Sequence, residues 1–223
     1  MKKDKITLSQ FEALQNIFDY FNKHLFNNEL NDCILNFSRK SKAYGFFAPE
    51  RWSKRNQNVM DAIENSKNRI HEISLNPEFT KNRRPDAWVS TIVHEMVHLW
   101  QQDFGKPSKS HHNKEWATKM KEIGLYPSST GEPGGKETGQ KVSHYIIENG
   151  AFQKHFSVMP NDYLLPFLCS QEMSGKVAKN KNKTKYTCNG CETNIWGKAD
   201  LNIICEECGM KFLQEEKEED EEN

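Results

Sequence analysis

The chain has 223 residues, with 31 Lys and Arg against 31 Asp and Glu, 35% hydrophobic and 28% charged residues, a balance that fits one or two soluble globular domains. It excludes a collagen, a coiled coil and a membrane span, since no apolar run approaches the roughly 20 residues that a transmembrane helix needs. The basic start MKKDKITLSQF leads into mixed sequence without an apolar h-region or a small-residue cleavage site, so no secretory signal is read and a cytoplasmic location is expected.

In chain order, residues 1–129 carry the strongest periodic patterns. Phe11, Leu14, Ile17, Phe18 and Phe21 recur at helical spacing and predict an amphipathic opening helix. Short runs with strand character follow: residues 33–38 and 43–47 flank a Lys/Ser turn, and residues 69–75 alternate apolar and polar side chains, which together predict a small mixed sheet. After Pro85 and Asp86, a good helix opening, the pattern Trp88, Val89, Ile92, Val93, Met96, Val97, Trp100 sustains a helix until Gly105 and Pro107. A further helix is predicted over about residues 112–123, ended by Gly124 and Pro127.

Residues 130–172 open with a loop holding Gly131, Gly134, Gly135 and Gly139 and continue into apolar clusters at 142–147 and 163–168, so this segment is expected to pack on the preceding domain. Residues 173–185 form a linker whose lysines, Lys176, Lys179, Lys181, Lys183 and Lys185, stand without an acid among them. Residues 186–213 hold two C-x-x-C pairs, and residues 214–223 form an acidic tail. From Glu215 to Glu222 that tail holds seven carboxylates and one lysine, so the rest of the chain carries 30 basic against 24 acidic residues. Such a run reads as a solvated, disordered end, or as a screen over a basic surface. The fold class expected is α+β, with helices and a small mixed sheet followed by a small four-cysteine unit.

The chemistry concentrates in His94-Glu95-Met96-Val97-His98. Residues four apart on a helix lie one turn above each other, so His94 and His98 can present two imidazoles to one metal ion. Glu95 stands beside that face and can act as general base toward a water on that metal, whose pKa zinc lowers to about 7. A catalytic zinc takes three protein ligands, and His111, His112 and Glu115 are the candidates for the third. His112 is preferred because Trp116, Met120 and Ile123 follow it on one helical face. His111 would point away by about 100 degrees, and Glu115 is the fallback. His144 and Tyr145 are candidates to donate a hydrogen bond to a tetrahedral intermediate, whereas His71 reads as structural and His24 and His155 as incidental.

Cys188 with Cys191 and Cys205 with Cys208 have the spacing of a structural zinc site, each tight turn supplying two thiolates to one tetrahedron. Asn189-Gly190 inside the first pair and Gly209 after the second suit such turns. Cys33 and Cys169 read as buried free thiols. The cofactors expected are therefore two Zn2+ ions, one catalytic and one structural.

These residues carry a resemblance. The run from Phe21-Asn22 through Phe26-Asn27-Asn28-Glu29-Leu30, the Gly45 strand, Glu72-Ile73-Ser74-Leu75-Asn76, the helix with His94 and His98, His112-Asn113-Lys114-Glu115-Trp116 and a terminal four-cysteine ribbon resemble the SprT-like family, zinc metallopeptidase-like proteins that include the Spartan proteases. The likeness covers most of residues 8–125 and 186–212. It implies a zincin-like core followed by a zinc ribbon, His94, His98 and His112 as zinc ligands, Glu95 as general base, and proteolysis. In Spartan relatives the substrates are proteins crosslinked to DNA, and DNA promotes cleavage. Asn113 departs from the glycine that relatives often have after the third histidine, and residues 130–172 have no match in Spartan.

Nucleic acid is a candidate partner on the residues themselves. The lysines at 176–185, next to a ribbon carrying Trp196 and Lys198, offer charge for phosphates and a ring for a base. Lysines without arginine imply salt-sensitive attachment with weak sequence choice, single-stranded DNA ahead of a specific duplex site. The segment's other reading is a solvated hinge. Two function classes stay open: a zinc endopeptidase acting on protein, including protein held on DNA, and a non-enzymatic zinc-binding nucleic-acid or regulatory adaptor. An intact Glu95 favours the enzyme, because a structural site has no use for a base beside its ligands.

Overall fold

A stripe of apolar residues at helical spacing forms α1, Ile6–Leu25, which buries Ala13, Leu14, Ile17, Phe18 and Phe21. The computed structural model describes residues 5–39, 43–55, 69–170 and 184–214. Phe11, expected on the buried face, remains 38% exposed, because the first turns of α1, with exposed Ile6 and Leu8, run past the end of the core. Its ring packs edge-on against Phe37 instead, 5.4 Å between centroids.

The mixed sheet expected from the sequence is present. Strands β1 (Ile34–Phe37), β2 (Gly45–Trp52) and β3 (Ile70–Leu75) are ordered β1-β3-β2, with β3 parallel to β1 and antiparallel to β2. The central strand is covered: Glu72, Ile73, Ser74 and Leu75 are all buried. The edge strand β2 shifts register between Ala48 and Trp52. There Glu50 adopts φ +53° and its amide donates to His71 Nδ1 at 2.9 Å, while His71 Nε2 lies 3.2 Å from Asp103. His71 thus ties the bulge to the next helix, a structural role.

That helix, α2 (Pro85–Phe104), opens on Pro85 in its first turn, where a missing amide costs nothing, and Asp86 accepts from the Ala87 amide at 2.9 Å. It stops at Gly105, as the sequence predicts. Trp88, Val89, Ile92, Val93, Met96, Val97 and Leu99 are buried, and the helix packs against α1, β2, β3 and the following helix. The latter, α3, is Lys114–Glu122, two residues shorter at its start than expected. Asn113 caps it, its side-chain oxygen accepting from the Trp116 amide at 3.0 Å, a stronger helix-start device than the histidine before it.

Residues 130–170 pack with this unit. β4 (Leu125–Ser128) and β5 (Ser143–Ile146) pair antiparallel, and α4 (Ala151–Val158) follows. Val142, Phe152, Met159 and Leu165 join the same apolar cluster as α1 and α2. By its contacts the chain forms two compact units, residues 1–172 and 173–223. In the second, β6 (Thr184–Cys188), β7 (Asn194–Gly197) and β8 (Phe212–Gln214) form an antiparallel sheet of order β7-β6-β8 over a core of Tyr186, Cys188, Cys205 and Phe212. The acidic tail from Glu215 onward lies outside the described residues. Among the described residues no helix is long and apolar enough to cross a membrane.

Gly124 joins α3 to β4 with φ +90°, and a Cβ there would stand 2.6 Å from the Phe152 amide nitrogen and 2.7 Å from that of Ala151. Those contacts are backbone, so a side chain cannot turn aside to relieve them. Gly124→Ala is expected to lower stability by more than about 1 kcal/mol, read as a lower midpoint in urea denaturation; an unchanged midpoint would contradict the packing described.

Candidate functional site

His94 and His98 project from consecutive turns of α2, and the chain returns to bring His112 beside them. One ligand nitrogen from each ring lies within 4.8 Å of the other two. Ring centroids are 5.3 Å apart for His94 and His98, 5.5 Å for His94 and His112, and 4.9 Å for His98 and His112. Trp116, fully buried, underlies all three at 4.9, 5.3 and 4.2 Å from His94, His98 and His112.

His112 is held differently from the expectation drawn from helical periodicity. It precedes α3 and forms a β-bridge with Gly139: its amide donates to Gly139 O at 2.8 Å, and the Gly139 amide donates to His112 O at 3.0 Å. Its Nδ1 also lies 3.0 Å from Gly139 O. A carbonyl can only accept, so Nδ1 carries the proton and Nε2 keeps its lone pair. The Gly-rich loop therefore orients this ring. The two other candidates are used elsewhere. His111 is exposed, with Nδ1 2.9 Å from Ser108 Oγ. Glu115 Oε2 accepts from Gln101 Nε2 and from the Lys106 amide, both at 2.7 Å, which fastens the chain leaving α2.

All three rings favour the neutral form. Burial, followed by the neighbouring His144, His98 and His112, pushes His94 well below its ordinary value. Burial and then His112 bring His98 to about 3, and burial is the main cause of the lowered His112. Neutral imidazoles with converging lone pairs are what a divalent metal requires, and three of them fit the donor set of a catalytic zinc. His144, on β5, does not serve the role expected of it. Its Nδ1 lies 3.0 Å from His94 Nδ1 and its Nε2 2.8 Å from Ser90 Oγ, so both ring nitrogens are engaged and neither is available to an oxyanion.

Two cavities meet at this place. One of about 310 Å³ is bounded by Tyr44, Thr91 and Ser143, and another of about 970 Å³ by Phe47, His98 and His112; Gly45, His94, Glu95, Lys141 and Val142 line both. Glu95 thus stands at the junction. Gly45 allows β2 to come this close: a Cβ would meet Thr91 Cγ2 at 2.9 Å and Glu95 Oε1 at 3.4 Å.

In the second unit the Sγ atoms of Cys188, Cys191, Cys205 and Cys208 all lie within 4.8 Å of one another. Cys191 Sγ and Cys205 Sγ are 3.8 Å apart, the edge of a tetrahedron with metal–sulfur bonds of about 2.3 Å. The two pairs share one turn geometry. Glu192 N donates to Cys188 O at 3.0 Å and Gly209 N to Cys205 O at 2.8 Å, with φ +58° at Glu192 and +63° at Gly209. The Gly190 amide points at Cys188 Sγ, 3.4 Å away. Hydrogen bonding with Thr193 holds the Cys191 thiol down to about 6, while hydrogen bonding with Cys191 pushes Cys208 up to about 12. Cys33, buried as expected, is pushed up to about 12 by burial.

Of the five lysines proposed to meet nucleic acid, Lys176, Lys179, Lys181 and Lys183 lie outside the described residues. Lys185 is on β6 directly opposite Trp196, whose side chain is 60% exposed. Sequence reasoning missed Gly139 and Trp116 as supports of the ligands. Trp116 was readable as a core residue of α3, but nothing in local spacing points from Gly139 to His112.

His98 and His144 are both brought to about 3 by burial, from an ordinary 6.5. Between those values the folded chain binds fewer protons than the unfolded one, so stability rises with pH across that window. The metal-stripped chain is expected to melt highest above about pH 6.5 and to lose melting temperature steadily toward pH 3; a flat profile would contradict buried neutral rings. In the ribbon, Cys205→Ala should abolish the folded β6–β8 spectrum, since metal binding there is folding energy; native ribbon resonances in that variant would contradict a four-thiolate site.

The model of the SprT-like family matches residues 14–134, a span that runs from α1 past β4 and contains His94, Glu95, His98 and His112. A protein of Salmonella typhimurium, described as an uncharacterized protein in the mucB 3' region, is 35% identical over 46 residues, 21% of this chain and 62% of the relative. The chain therefore covers less than two thirds of that relative's length. With its three histidines converging inside a matched region that takes in more than half of the sequence, the chain belongs to the SprT-like family.

Proposed function

We propose that this chain is a zinc-dependent endopeptidase whose substrate is protein, including protein held on DNA. The observation that carries the reading is the position of Glu95, adjacent to the histidine triad and at the junction of two cavities. His94, His98 and His112 would hold the ion, and Cys188, Cys191, Cys205 and Cys208 a second, structural one. Zinc supplies Lewis acidity, which acidifies water and polarises a peptide carbonyl. Glu95 takes a proton from the water as its oxygen bonds to the carbonyl carbon, and returns it to the amine nitrogen as the C–N bond breaks. Burial of Glu95, which is 7% exposed, keeps competing water away from that carboxylate and strengthens its electrostatic action.

The edge of the sheet supports a peptide as substrate. β2 pairs with β3 and lies at the end of its sheet, with Gly45 and Phe47 lining the cleft. An extended chain laid beside it gains main-chain hydrogen bonds while alternate side chains enter the cavities. DNA association is supported by the lysines at 176–185 in the sequence and by Lys185 opposite an exposed Trp196 on the ribbon. That surface is suited to phosphate attraction and stacking without base readout.

The test is cleavage of a DNA-bound basic protein, with and without single-stranded DNA, with Glu95→Gln as the blank. Wild type is expected to cleave, faster with DNA, and Glu95→Gln to lose about 10²–10⁴-fold in rate with both zinc ions retained. Full activity in Glu95→Gln would remove the assigned base. No cleavage in either condition, with both ions bound, would favour the non-enzymatic adaptor.

A further inference from the structure

His144 lies ten residues beyond the end of the matched family region, and the peptidase reading above gives it no role. It sits on β5 opposite Pro127 of β4, and its ring bridges two residues of α2. His144 Nδ1 is 3.0 Å from His94 Nδ1, and His144 Nε2 is 2.8 Å from Ser90 Oγ. Ser90 Oγ in turn donates to the Ala87 carbonyl at 3.0 Å.

The Ser90 hydroxyl donates to the Ala87 carbonyl, which Arg83 Nη2 also reaches, and the directions of the other protons follow from that one. Ser90 Oγ must then accept from His144, which places the His144 proton on Nε2. A neutral His144 is left with a bare Nδ1, able only to accept, and the hydrogen between the two rings belongs to His94 Nδ1. The lone pair of His94 is then on Nε2, the one nitrogen of that ring not taken up by His144. His112 reaches the same state through Gly139 O.

We infer that His144 is a positioning residue which, anchored through Ser90 to Ala87, fixes the proton of His94 on Nδ1 and so presets its Nε2 as a metal ligand. An imidazole without such a partner divides its proton between both nitrogens and turns more freely, and outer partners of this kind typically change metal affinity by about 10–100-fold. The inference rests on the metal site of the proposed function and not on peptide cleavage.

The test uses the full chain with zinc alone, titrated against a chromophoric chelator, and cobalt(II) as a spectroscopic substitute. Thiolate-to-cobalt absorption reports the ribbon separately from the histidine site. His144→Phe keeps the ring volume without either nitrogen. It is expected to weaken the histidine-site zinc by about 10–100-fold, with the thiolate bands unchanged. His144→Gln, which can still accept from His94, should recover part of the loss, and Ser90→Ala should reproduce part of it in a chain whose β5 is untouched. Long-range 15N spectra of the zinc-free wild type should show the His94 proton on Nδ1. Unaltered zinc affinity in a folded His144→Phe, or a His94 proton on Nε2, would overturn the inference while leaving the peptidase reading in place. If His144→Phe fails to fold, full zinc affinity in Ser90→Ala would overturn it. A wild type that holds zinc in the ribbon alone would overturn both.

Discussion

The burial of one polar turn inside an apolar helix is the constraint around which the first unit is arranged. α2 is covered by the sheet, by α1 and by α3, so Val93, Met96, Val97 and Leu99 leave water together with His94 and Glu95. Polar side chains in such a place cost free energy unless each finds a partner. The surrounding structure answers part of that demand: His144 meets His94 and Gly139 O meets His112, while the indole nitrogen of Trp116, under the three rings, has no hydrogen-bond partner among the described residues. The burial that makes the turn expensive also strips its histidines of charge and leaves them as metal donors.

The residues that satisfy this turn come from parts of the chain far from it. Asn113 stops α3 from continuing toward His112, accepting from both the Trp116 amide and, at 2.8 Å, Gln101 Nε2. His112 is thereby left in extended conformation and can bridge to Gly139. The Gly-rich loop, most of which lies beyond the matched family region, is in this chain a support of the third histidine. β5 then runs back along β4 and delivers His144. The cavities, the three converging histidines and their supports are consequently built from α2, the edge strand β2 and the segment that returns from His112 to His144.

The ribbon follows a different logic. Its core is Tyr186, Cys188, Cys205 and Phe212, too little apolar surface to hold three short strands by burial alone. Tyr186 adds a polar tie, its hydroxyl accepting from the Leu201 amide at 2.9 Å. The rest is left to the four thiolates, whose turns are already shaped by left-handed Glu192 and Gly209. A metal held by these thiolates would couple this fold to its binding, a demand that the larger apolar cluster of the first unit does not make.

What was legible in the sequence is what short-range geometry imposes. The period of 3.6 residues marked α1 and α2, Pro85 and Gly105 marked the ends of α2, and spacing of four residues placed His94 and His98 on one face with Glu95 beside them. The C-x-x-C pairs were equally readable, because a tight turn presents both sulfurs to one point whatever surrounds it. Phe11 and His112 show where that legibility ends. Periodicity put Phe11 in the core, but the first turns of α1 extend beyond it; periodicity also put His112 on α3, but the Asn113 cap starts that helix later. Only the tertiary structure decided that Gly139 would orient His112 and that His144, fifty residues from His94, would meet its ring. A local spacing carries no information about which loop returns to a buried polar turn; that is settled by how the apolar faces pack and by which distant groups can satisfy the hydrogen bonds that packing takes away from water.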